Sequence, residues 1–434
     1  MNRFDRKPDY DYILVGGGLQ AGLLSLALEY YQPNARVLMI ERSDKIAGNH
    51  TWSFHLGDVD EESREWVWPL IERQWCGYDV RITRSVRHVQ LQYASISSEH
   101  FARVVQEQFS PALIQHTTST GKVSQPLAVG TGALATGEAW EPQFEIDDRG
   151  PSESNRVLIT NAEVSEVSAD RVVTRTGDVF SGRVVVDCRG PSSANHSRDC
   201  GYQKFFGFEV NLTDDWQSQR PVVMESIADQ RDGFRFLYTL PFEPRRILIE
   251  DTRFSDSPEM NRADCLAVVT QYLRENGHED FTIIREESGV LPMPFRDELR
   301  PEKRCPLAGG YAGGWFHAAT GYSFPLSVAF AQTVAAGPKE TIDERVRQLA
   351  DRHRWRASYA RFLNRLLFRL VAPQQRQHIF RRFYRVLTAQ AVERFYAHRF
   401  TAGDAFRIVV GIPPTLIGLR PIRFFRSFFF GANQ

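Results

Sequence analysis

The fold of this chain is decided near its N-terminus by residues 12–22, which read YILVGGGLQAG. A short apolar run rich in β-branched residues meets three glycines and passes into a second apolar run, residues 23–28. This pattern predicts a strand, a tight turn and a helix, in which the glycines let the backbone approach a pyrophosphate at the helix N-terminus. Gly16 and Gly18 take the first two positions of the dinucleotide-binding fingerprint, and Ala21, followed by Gly22, takes the third.

A second predicted strand supports a dinucleotide site. Residues 36–40 read RVLMI, and Glu41 follows them where this fold places the acid that binds ribose hydroxyls. Glu rather than Arg or Lys favours a ribose without a 2′-phosphate, hence FAD or NAD. Arg42 and Gly48 continue this edge and are assigned to the same cofactor site. The alternative is a helix packed tightly on a strand with no ligand.

The composition bounds the classes of function. The 434 residues have zero formal net charge, which gives no support for a nucleic-acid partner. The five cysteines are scattered without CxxC spacing, so neither a metal site nor a disulfide framework is predicted, and a reducing cytoplasm fits. Residues 1–11 lack the apolar core of a secretory signal. No apolar run reaches the roughly 18 residues that a membrane-spanning helix needs.

A second glycine-rich segment follows much later in the chain. Residues 306–325 read PLAGGYAGGWFHAATGYSFP and precede an apolar helix predicted over residues 326–336. Glycines before a helix can approach a phosphate or an isoalloxazine ring, so Gly309 and Gly321 are assigned to the cofactor site. The alternative is a loop that is dense in glycine for packing alone.

The chain is predicted to have a mixed α/β fold with three parts. Alternating aromatic and aliphatic residues between 201 and 254 indicate an antiparallel sheet with one apolar face. The parts are a discontinuous Rossmann-type FAD-binding domain (1–80, 97–200 and 285–340), an antiparallel substrate-binding sheet domain (81–96 and 201–284) and a helical region (341–434). Residues 117–151, rich in small and polar residues, are predicted to form an insertion, with one hairpin around Phe144 and residues 157–159.

The helical region is basic and amphipathic. Residues 352–385 contain ten arginines and no Asp or Glu, and residues 419–430 read LRPIRFFRSFFF. Arg361, Arg365 and Arg369 share one helical face, opposite a face of Leu and Phe. Such a pattern suits contact with an anionic lipid surface. The alternative is a helical cap docked on the core with solvated arginines.

Eight motifs, in order along nearly all of the first 335 residues, now match a known family. They are the glycine turn (11–22), ER (41–42) with GNHTWSFH (48–55), VDCRG (186–190), GYQ (201–203) with GFE (207–209), DGFRFLYTLP (232–241), LIEDT (248–252), GVLP (289–292) and GGWFHAATGYSFP (313–325). The chain resembles the bacterial flavin-dependent lycopene cyclases, among the geranylgeranyl-reductase-like flavoproteins. NHTWSFH and LIEDT are specific to the cyclases, whereas the glycine turn is not. AATGY at 318–322 departs from the PTTGY expected there, and the 117–151 insertion is longer than usual.

The resemblance implies an isomerisation. In this family, the acyclic ψ-ends of lycopene close to β-ionone rings, giving β-carotene through γ-carotene without net electron transfer. It implies reduced FAD, whose negative charge stabilises a carbocation, and NAD(P)H as the electron source. Because lycopene partitions into lipid, we expect a peripheral protein on the cytoplasmic side of a membrane.

The resemblance also assigns site residues. Glu250, the first acid of LIEDT, matches the family's essential carboxylate. It ends the apolar run ILI, so burial in a dry cavity would raise its pKa and keep it protonated as a general acid; the alternative is a strand-end acid in water. Asp251, also placed in the catalytic group, is expected on the opposite face as a supporting residue. Trp52, Phe54, His55 and Glu209 are assigned to the substrate site, although the first three also fit an ordinary loop with a buried Trp.

Other functions of the same fold compete with this one. The stretch DCRGPS (187–192) is similar to an Asp-Gly stretch of FAD-dependent monooxygenases, and an isoprenoid reductase is a further alternative. However, AGG at 308–310 lacks the Asp usual in the second flavin loop of the monooxygenases. A membrane-attached carotenoid or flavin carrier without activity is the non-enzymatic alternative.

Overall fold

The computed structural model describes residues 8–111, 155–190, 199–296 and 307–410, and the structural statements below concern these residues. The predicted insertion at 117–151, including Phe144, and the aromatic end at 419–430 lie outside them. The strands are, in chain order, β1 (Tyr10–Val15), β2 (Val37–Ile40), β3 (Thr51–His55), β4 (Arg73–Trp75), β5 (Tyr78–Ile82), β6 (Ser85–Val89), β7 (Tyr93–Ser97), β8 (Ser110–Pro111), β9 (Arg156–Ile159), β10 (Val164–Val167), β11 (Arg171–Thr174), β12 (Val179–Asp187), β13 (Cys200–Leu212), β14 (Val222–Ser226), β15 (Phe234–Pro241), β16 (Arg246–Ser255), β17 (Phe281–Pro294) and β18 (Leu307–Ala308).

The helices flank these strands and dominate the C-terminal part. They are α1 (Leu19–Tyr31), α2 (Arg64–Val67), α3 (Ser98–Gln106), α4 (Arg262–Glu275), α5 (Phe324–Ala335), α6 (Ile342–Arg365), α7 (Arg376–Val386), α8 (Ala389–Tyr396) and α9 (Ala402–Val409). A π-helical turn, Leu366–Leu370, continues α6.

The first sheet has the parallel core that the glycine turn predicts. Its strand order is β10-β11-β12-β1-β2-β9-β8, with β18 beside β12, and β1 pairs in parallel with both β2 and β12. Strands buried on both faces are uniformly apolar, which explains the unbroken run before Gly16. The predicted hairpin is wrong for residues 157–159: they lie in β9, which pairs in parallel with β2 and β8. An isolated apolar triplet does not reveal whether its partner is local or distant.

Helix α1 packs inside the protein rather than on its surface. Its residues from Gln20 to Leu28 are all buried, and it packs against α5. Because α1 is buried on all sides, the sequence after the glycines is apolar throughout instead of amphipathic. The parallel sheet, the glycine turn and α1 together form the predicted Rossmann-type unit.

The second sheet is the predicted antiparallel one, with the order β17-β13-β16-β15-β14-β5-β6. It includes all of β17, so its last strand continues past the predicted boundary at residue 284 to Pro294. Strand β5 joins the edge of β14 in parallel. The segment predicted at 81–96 divides: β5 and β6 belong here, whereas β7 pairs with β3 and β4 in a separate three-stranded sheet.

The C-terminal helices cap one face of the second sheet. Side chains of the segment 367–408 share one buried apolar cluster with strands β5, β15 and β16. Two of the three arginines of the predicted basic face dock on the protein: Arg365 Nη1 donates to the Phe295 carbonyl at 2.5 Å, and Arg369 pairs with Asp199. The cap alternative therefore describes the packing of these helices, and part of the basic pattern serves intramolecular contacts.

Candidate active site

The glycine turn has the geometry of a pyrophosphate cradle. Gly16 has φ +96°, and a Cβ there would meet the Arg189 backbone at 3.0 Å, so only glycine fits. A Cβ on Gly18 or Gly48 would meet nothing within 4 Å, so there is open space beside both glycines. Backbone N–H groups at the start of α1 border this space. A dinucleotide phosphate fits here.

The acid after β2 is held at the same edge. Glu41 Oε2 accepts from Gly17 N at 2.6 Å, and its Oε1 accepts from Ser43 N at 2.9 Å. Each carboxylate oxygen retains a second lone pair for a ribose hydroxyl. Arg42 is exposed beside it.

Two other residues assigned to the cofactor instead pack the helix. Ala21 is fully buried in the core. A Cβ on Gly22 would meet the Phe101 ring at 2.3 Å, so this glycine lets α1 approach α3. The third fingerprint position thus serves helix packing.

The second glycine-rich segment reaches the same edge. Gly309 N donates to the Asp187 carbonyl at 2.8 Å, and Gly310 N donates to Gln20 Oε1 of α1 at 3.1 Å. Gly321 has φ +69°, and its carbonyl accepts from the Tyr311 hydroxyl. The two segments, far apart in sequence, therefore form one site whose residues fit a flavin dinucleotide.

A large cavity lies beside this site, between β3, the second sheet and the C-terminal helices. Together with the open solvent at its mouth, its empty space is about 1040 Å³. Aromatic rings dominate its wall: Trp52, Tyr78, Tyr93, Phe205, Phe236, Tyr238, Phe254, Tyr322, Phe324, Phe380 and Tyr396. Gly321 also lines it, so the cavity adjoins the second glycine-rich segment.

Glu250 is the carboxyl residue among those that line this cavity. Strand alternation turns Leu248, Glu250 and Phe254 to the cavity side. Burial raises the pKa of the Glu250 carboxyl well above its usual range, and the nearby Glu287 carboxyl raises it further. The Thr252 hydroxyl donates to Glu250 Oε1. The raised pKa favours the neutral form of this acid, which faces an aromatic wall.

Asp251 lies on the opposite face, where it is fully buried. Arg235 Nε donates to its Oδ1 at 2.9 Å, and Arg253 Nη2 donates to its Oδ2 at 3.0 Å. The side chain therefore neutralises two arginines and does not reach the cavity. Its assignment to the catalytic group is replaced by this structural role.

The remaining assigned residues divide between the cavity and the core. Trp52 and His55 line the cavity, and His55 Nε2 lies 3.1 Å from the Tyr78 hydroxyl. Phe54 is fully buried in the core and stacks on Phe324, with ring centroids 4.2 Å apart. Glu209 is buried in ion pairs with Arg246 and Arg285. The assignment of Phe54 and Glu209 to the substrate site therefore does not match their positions.

Glu287 is the main site residue that the sequence analysis missed. It is buried beside Glu250, on β17, a strand far away in sequence. Alternation along residues 281–294 places Glu287 on one face of a strand, but the pairing of β17 with β13 is a tertiary fact. The tyrosines of the cavity wall were missed for the same reason.

The described ranges contain no cluster of three or more His, Cys, Asp or Glu suited to a metal ion. Within the same ranges, none of the helices has the length and hydropathy needed to cross a bilayer.

Comparison with solved structures shows the fold. A geranylgeranyl bacteriochlorophyll reductase-like protein from Thermoplasma acidophilum superimposes with a TM-score of 0.57 at 10% identity, over 94% of this chain and 97% of that one. A flavin-dependent brominase superimposes with a TM-score of 0.53 at 12% identity, over 96% and 99% of the two chains. The predicted mixed α/β fold is confirmed.

Comparison of sequences shows the family. The protein-family model described as "Lycopene cyclase protein" matches residues 11–154 and 145–418. Lycopene beta-cyclases from Pantoea ananas and Pseudescherichia vulneris are 33% and 32% identical, over 94% of this chain and 96% and 95% of theirs. A Paracoccus lycopene beta-cyclase is 31% identical over 94% of this chain and 95% of that relative. This chain belongs to the lycopene cyclase family.

Proposed function

We propose that this protein is a lycopene β-cyclase, an isomerase that closes the ψ-ends of lycopene into β-ionone rings, giving β-carotene through γ-carotene. The observation that carries the proposal is Glu250, a buried carboxyl with a raised pKa in an aromatic-lined cavity. A neutral carboxyl at neutral pH is what protonation of an alkene requires. The names of the relatives support the choice of substrate.

The reaction transfers one proton in each direction. The Glu250 O–H adds its proton to the terminal double bond, and the tertiary carbocation is attacked by the neighbouring double bond, which closes the ring. The ring carbon then loses a proton to the Glu250 carboxylate, which fixes the ring double bond and restores the acid. Substrate and product are isomers, and no electrons leave or enter them.

The cavity wall protects and stabilises the cation. Ring faces attract a positive charge, by about 0.5–2 kcal/mol for each well-placed ring. Tyr238, Phe254 and Phe380 lie along the wall with Glu250, contributed by the sheet and the cap. A wall of this kind excludes water, which would otherwise trap the cation as an alcohol.

We assign FAD in its reduced form to the neighbouring site. The open glycine turn, Glu41 and Gly321 are the residues that would hold it. When bound in its reduced, anionic form, it supplies negative charge that stabilises a cation. NAD(P)H is the proposed source of the electrons that keep it reduced.

Lycopene resides in lipid, so we place the protein on the cytoplasmic side of a membrane, bound peripherally. Trp355 and Phe406 are exposed near the contact of α6 with α9, where the Tyr359 hydroxyl donates to the Ala405 carbonyl at 2.6 Å. Exposed aromatic residues beside arginines favour insertion into an anionic interface.

A flotation assay with anionic vesicles tests this placement. The protein should be recovered with the vesicles at the top of the gradient, and Phe406→Ser should lower the recovered fraction. Equal recovery with and without vesicles would contradict the placement.

The assay that tests the activity uses lycopene in liposomes and reduced FAD under anaerobic conditions. We expect cyclised product of unchanged mass. Air is then admitted as a second condition. Oxygen consumption coupled to a gain in substrate mass would identify a monooxygenase, and a mass gain of hydrogen without oxygen would identify an isoprenoid reductase. Substrate binding without any conversion would identify a carrier.

A further inference from the structure

A glycine separates two buried carboxyl residues in the second sheet. Gly207 of β13 pairs with Glu250 of β16 on one side and with Glu287 of β17 on the other. Residues directly opposite each other in neighbouring strands point to the same face of a sheet. Both carboxyl groups therefore rise on the same face, on either side of a residue without a side chain.

The missing side chain leaves the two groups room to meet. A Cβ on Gly207 would lie 2.9 Å from Glu287 Cγ and 3.6 Å from Glu250 Cβ. With glycine there, the Glu250 carboxyl lies within hydrogen-bonding reach of Glu287. The register and the glycine thus place a carboxyl pair over β13.

The two oxygens of Glu287 have different surroundings. Its Oε2 accepts from the Thr51 hydroxyl and from Arg285 Nη1, both at 2.7 Å. Its Oε1 is buried and has no hydrogen-bond partner among the described residues. A buried carboxylate oxygen without a donor costs free energy, so a proton on Glu250 gives it the partner it lacks.

The asymmetry decides which member of the pair holds the proton. Glu287 has the positive charge of Arg285 beside it. Glu250 lines a cavity whose residues include no Arg or Lys. This difference in surroundings favours the proton on Glu250, which has no cation beside it.

We propose that Glu287 is a positioning residue for the cyclisation: its Oε1 accepts a hydrogen bond from the Glu250 carboxyl, keeps that carboxyl protonated and fixes its orientation towards the cavity. This inference rests on the proposed function and deepens it. After Glu250 transfers its proton to the alkene, two carboxylates face the cation across a dry space. Their charge stabilises the cation, and the returning ring proton restores the shared proton.

Other groups around the pair do not supply the deciding charge. Tyr238 of β15 pairs in register with Glu250, and burial raises the pKa of its hydroxyl. Burial lowers the pKa of His50, which adjoins Glu287 and Arg285. Both side chains are thus neutral near pH 7. Asp251 faces away from the cavity, paired with its two arginines.

The test compares pH–rate profiles of cyclisation for the wild type and Glu287→Gln, with liposomal lycopene and reduced FAD under anaerobic conditions. The wild-type rate should fall on the alkaline side as Glu250 loses its proton. Removing the like charge of Glu287 should shift that fall to lower pH by about one unit or more. The rate at neutral pH should therefore drop by a larger factor than the rate on the acid side, where only the charge and the orientation that Glu287 supplies are lost. A purely structural role would lower the rate equally at all pH values.

The neighbouring residue gives a matched control. Glu286 lies on the same strand, pairs in register with Phe208, and forms an ion pair with Arg262 at 2.8 Å on the other face. Glu286→Gln also removes one carboxylate charge, and its pH–rate profile should coincide with that of the wild type. A Glu287→Gln profile that also coincides with the wild type would overturn the inference.

The two proposals fail in different ways. If the FAD-bound wild type forms no ring, the proposed function fails. If the wild type forms rings, Glu250→Gln does not, and the Glu287→Gln profile is unshifted, only the positioning role fails.

A second variant serves if Glu287→Gln fails to fold or loses its FAD. Glu287→Asp keeps the negative charge beside Arg285 but moves it away from Glu250. It should give a smaller shift in the same direction, and an unshifted profile would overturn the inference.

Discussion

The two faces of the second sheet treat neighbouring carboxyl groups in opposite ways. On the cavity face, Glu250 is surrounded by aromatic rings and a second acid, and it is kept neutral. On the face towards α4, the next residue, Asp251, lies between Arg235 and Arg253 and forms ion pairs with both. One step along a strand separates a proton donor from a structural ion pair.

The difference shows that one face of a sheet can carry the residues for the reaction while the other carries residues that stabilise the fold. Successive side chains of β16 alternate between its faces, so each face has its own dielectric and its own partners. The ion pairs of Asp251 belong to the face that packs on α4, whereas the residues that line the cavity include Glu250 and no Arg or Lys. Changes on the two faces should therefore have separable effects, on cyclisation and on unfolding.

The largest effect is expected when the acid of the cavity face is removed. Glu250→Gln preserves shape but has no proton to give, so cyclisation should fall by about 10²-fold or more. FAD binding should persist, because the glycine turn is untouched. Product chromatography after anaerobic incubation measures the first, and the flavin absorbance of the purified variant measures the second. Ring formation at the normal rate would show that Glu250 is not the acid.

On the other face, Asp251→Asn should act on stability instead. It removes the buried counter-charge that Arg235 and Arg253 share and leaves them only their longer ion pairs with Asp229 and Asp232. The cost should therefore be at most about 3–5 kcal/mol, that of a fully broken buried pair. Urea denaturation followed by tryptophan fluorescence measures this change in the free energy of unfolding. Cyclisation per folded molecule should remain that of the wild type. A stable variant that has lost cyclisation would place Asp251 in the chemistry after all.

The pH dependence of stability sharpens the contrast. The folded-state pKa of Glu250 is raised, so its contribution to stability is complete below the unfolded-state pKa and is lost as pH rises towards the folded value. Because Gln does not ionise, the stability of Glu250→Gln lacks this pH dependence. The variant should therefore become more stable relative to the wild type as pH rises from mildly acidic to neutral. The gain should be on the order of 1–3 kcal/mol. A difference between the two proteins that is independent of pH would mean that Glu250 is ionised in the folded state.

The smallest pair of effects compares one tyrosine from each face. The Tyr238 hydroxyl lies 3.0 Å from that of Tyr93 at the cavity, and the Tyr272 hydroxyl donates to Glu225 at 2.9 Å on the other side. Replacing either by Phe should cost about 1 kcal/mol of unfolding free energy. Tyr238→Phe should also change the cyclisation rate modestly, whereas Tyr272→Phe should not. Thermal unfolding and the anaerobic assay separate the two, and equal loss of activity in both would contradict the division of the faces.

The glycine turn, Glu41 and the LIEDT motif could be predicted from the sequence because each is local. A tight turn needs glycine at Gly16 whatever surrounds it, and strand alternation alone sends Glu250 and Asp251 to opposite faces. The family resemblance then gave these residues their chemistry.

The carboxyl pair could not be predicted in this way. Glu287 meets Glu250 only because β13 runs between β16 and β17 with Gly207 in register with both. Pairing order and register depend on the whole sheet and leave no local pattern. The same holds for Glu209, whose buried charge is explained by Arg246 and Arg285 rather than by substrate.

Infrared spectroscopy of the FAD-bound protein tests the central claim most directly, because the C=O stretch of a protonated carboxyl is distinct from that of a carboxylate. We predict such a band in the wild type at neutral pH, its loss in Glu250→Gln and its retention in Asp251→Asn. Its absence from the wild type, or its persistence in Glu250→Gln, would contradict the assignment of Glu250 as the neutral acid of the cavity.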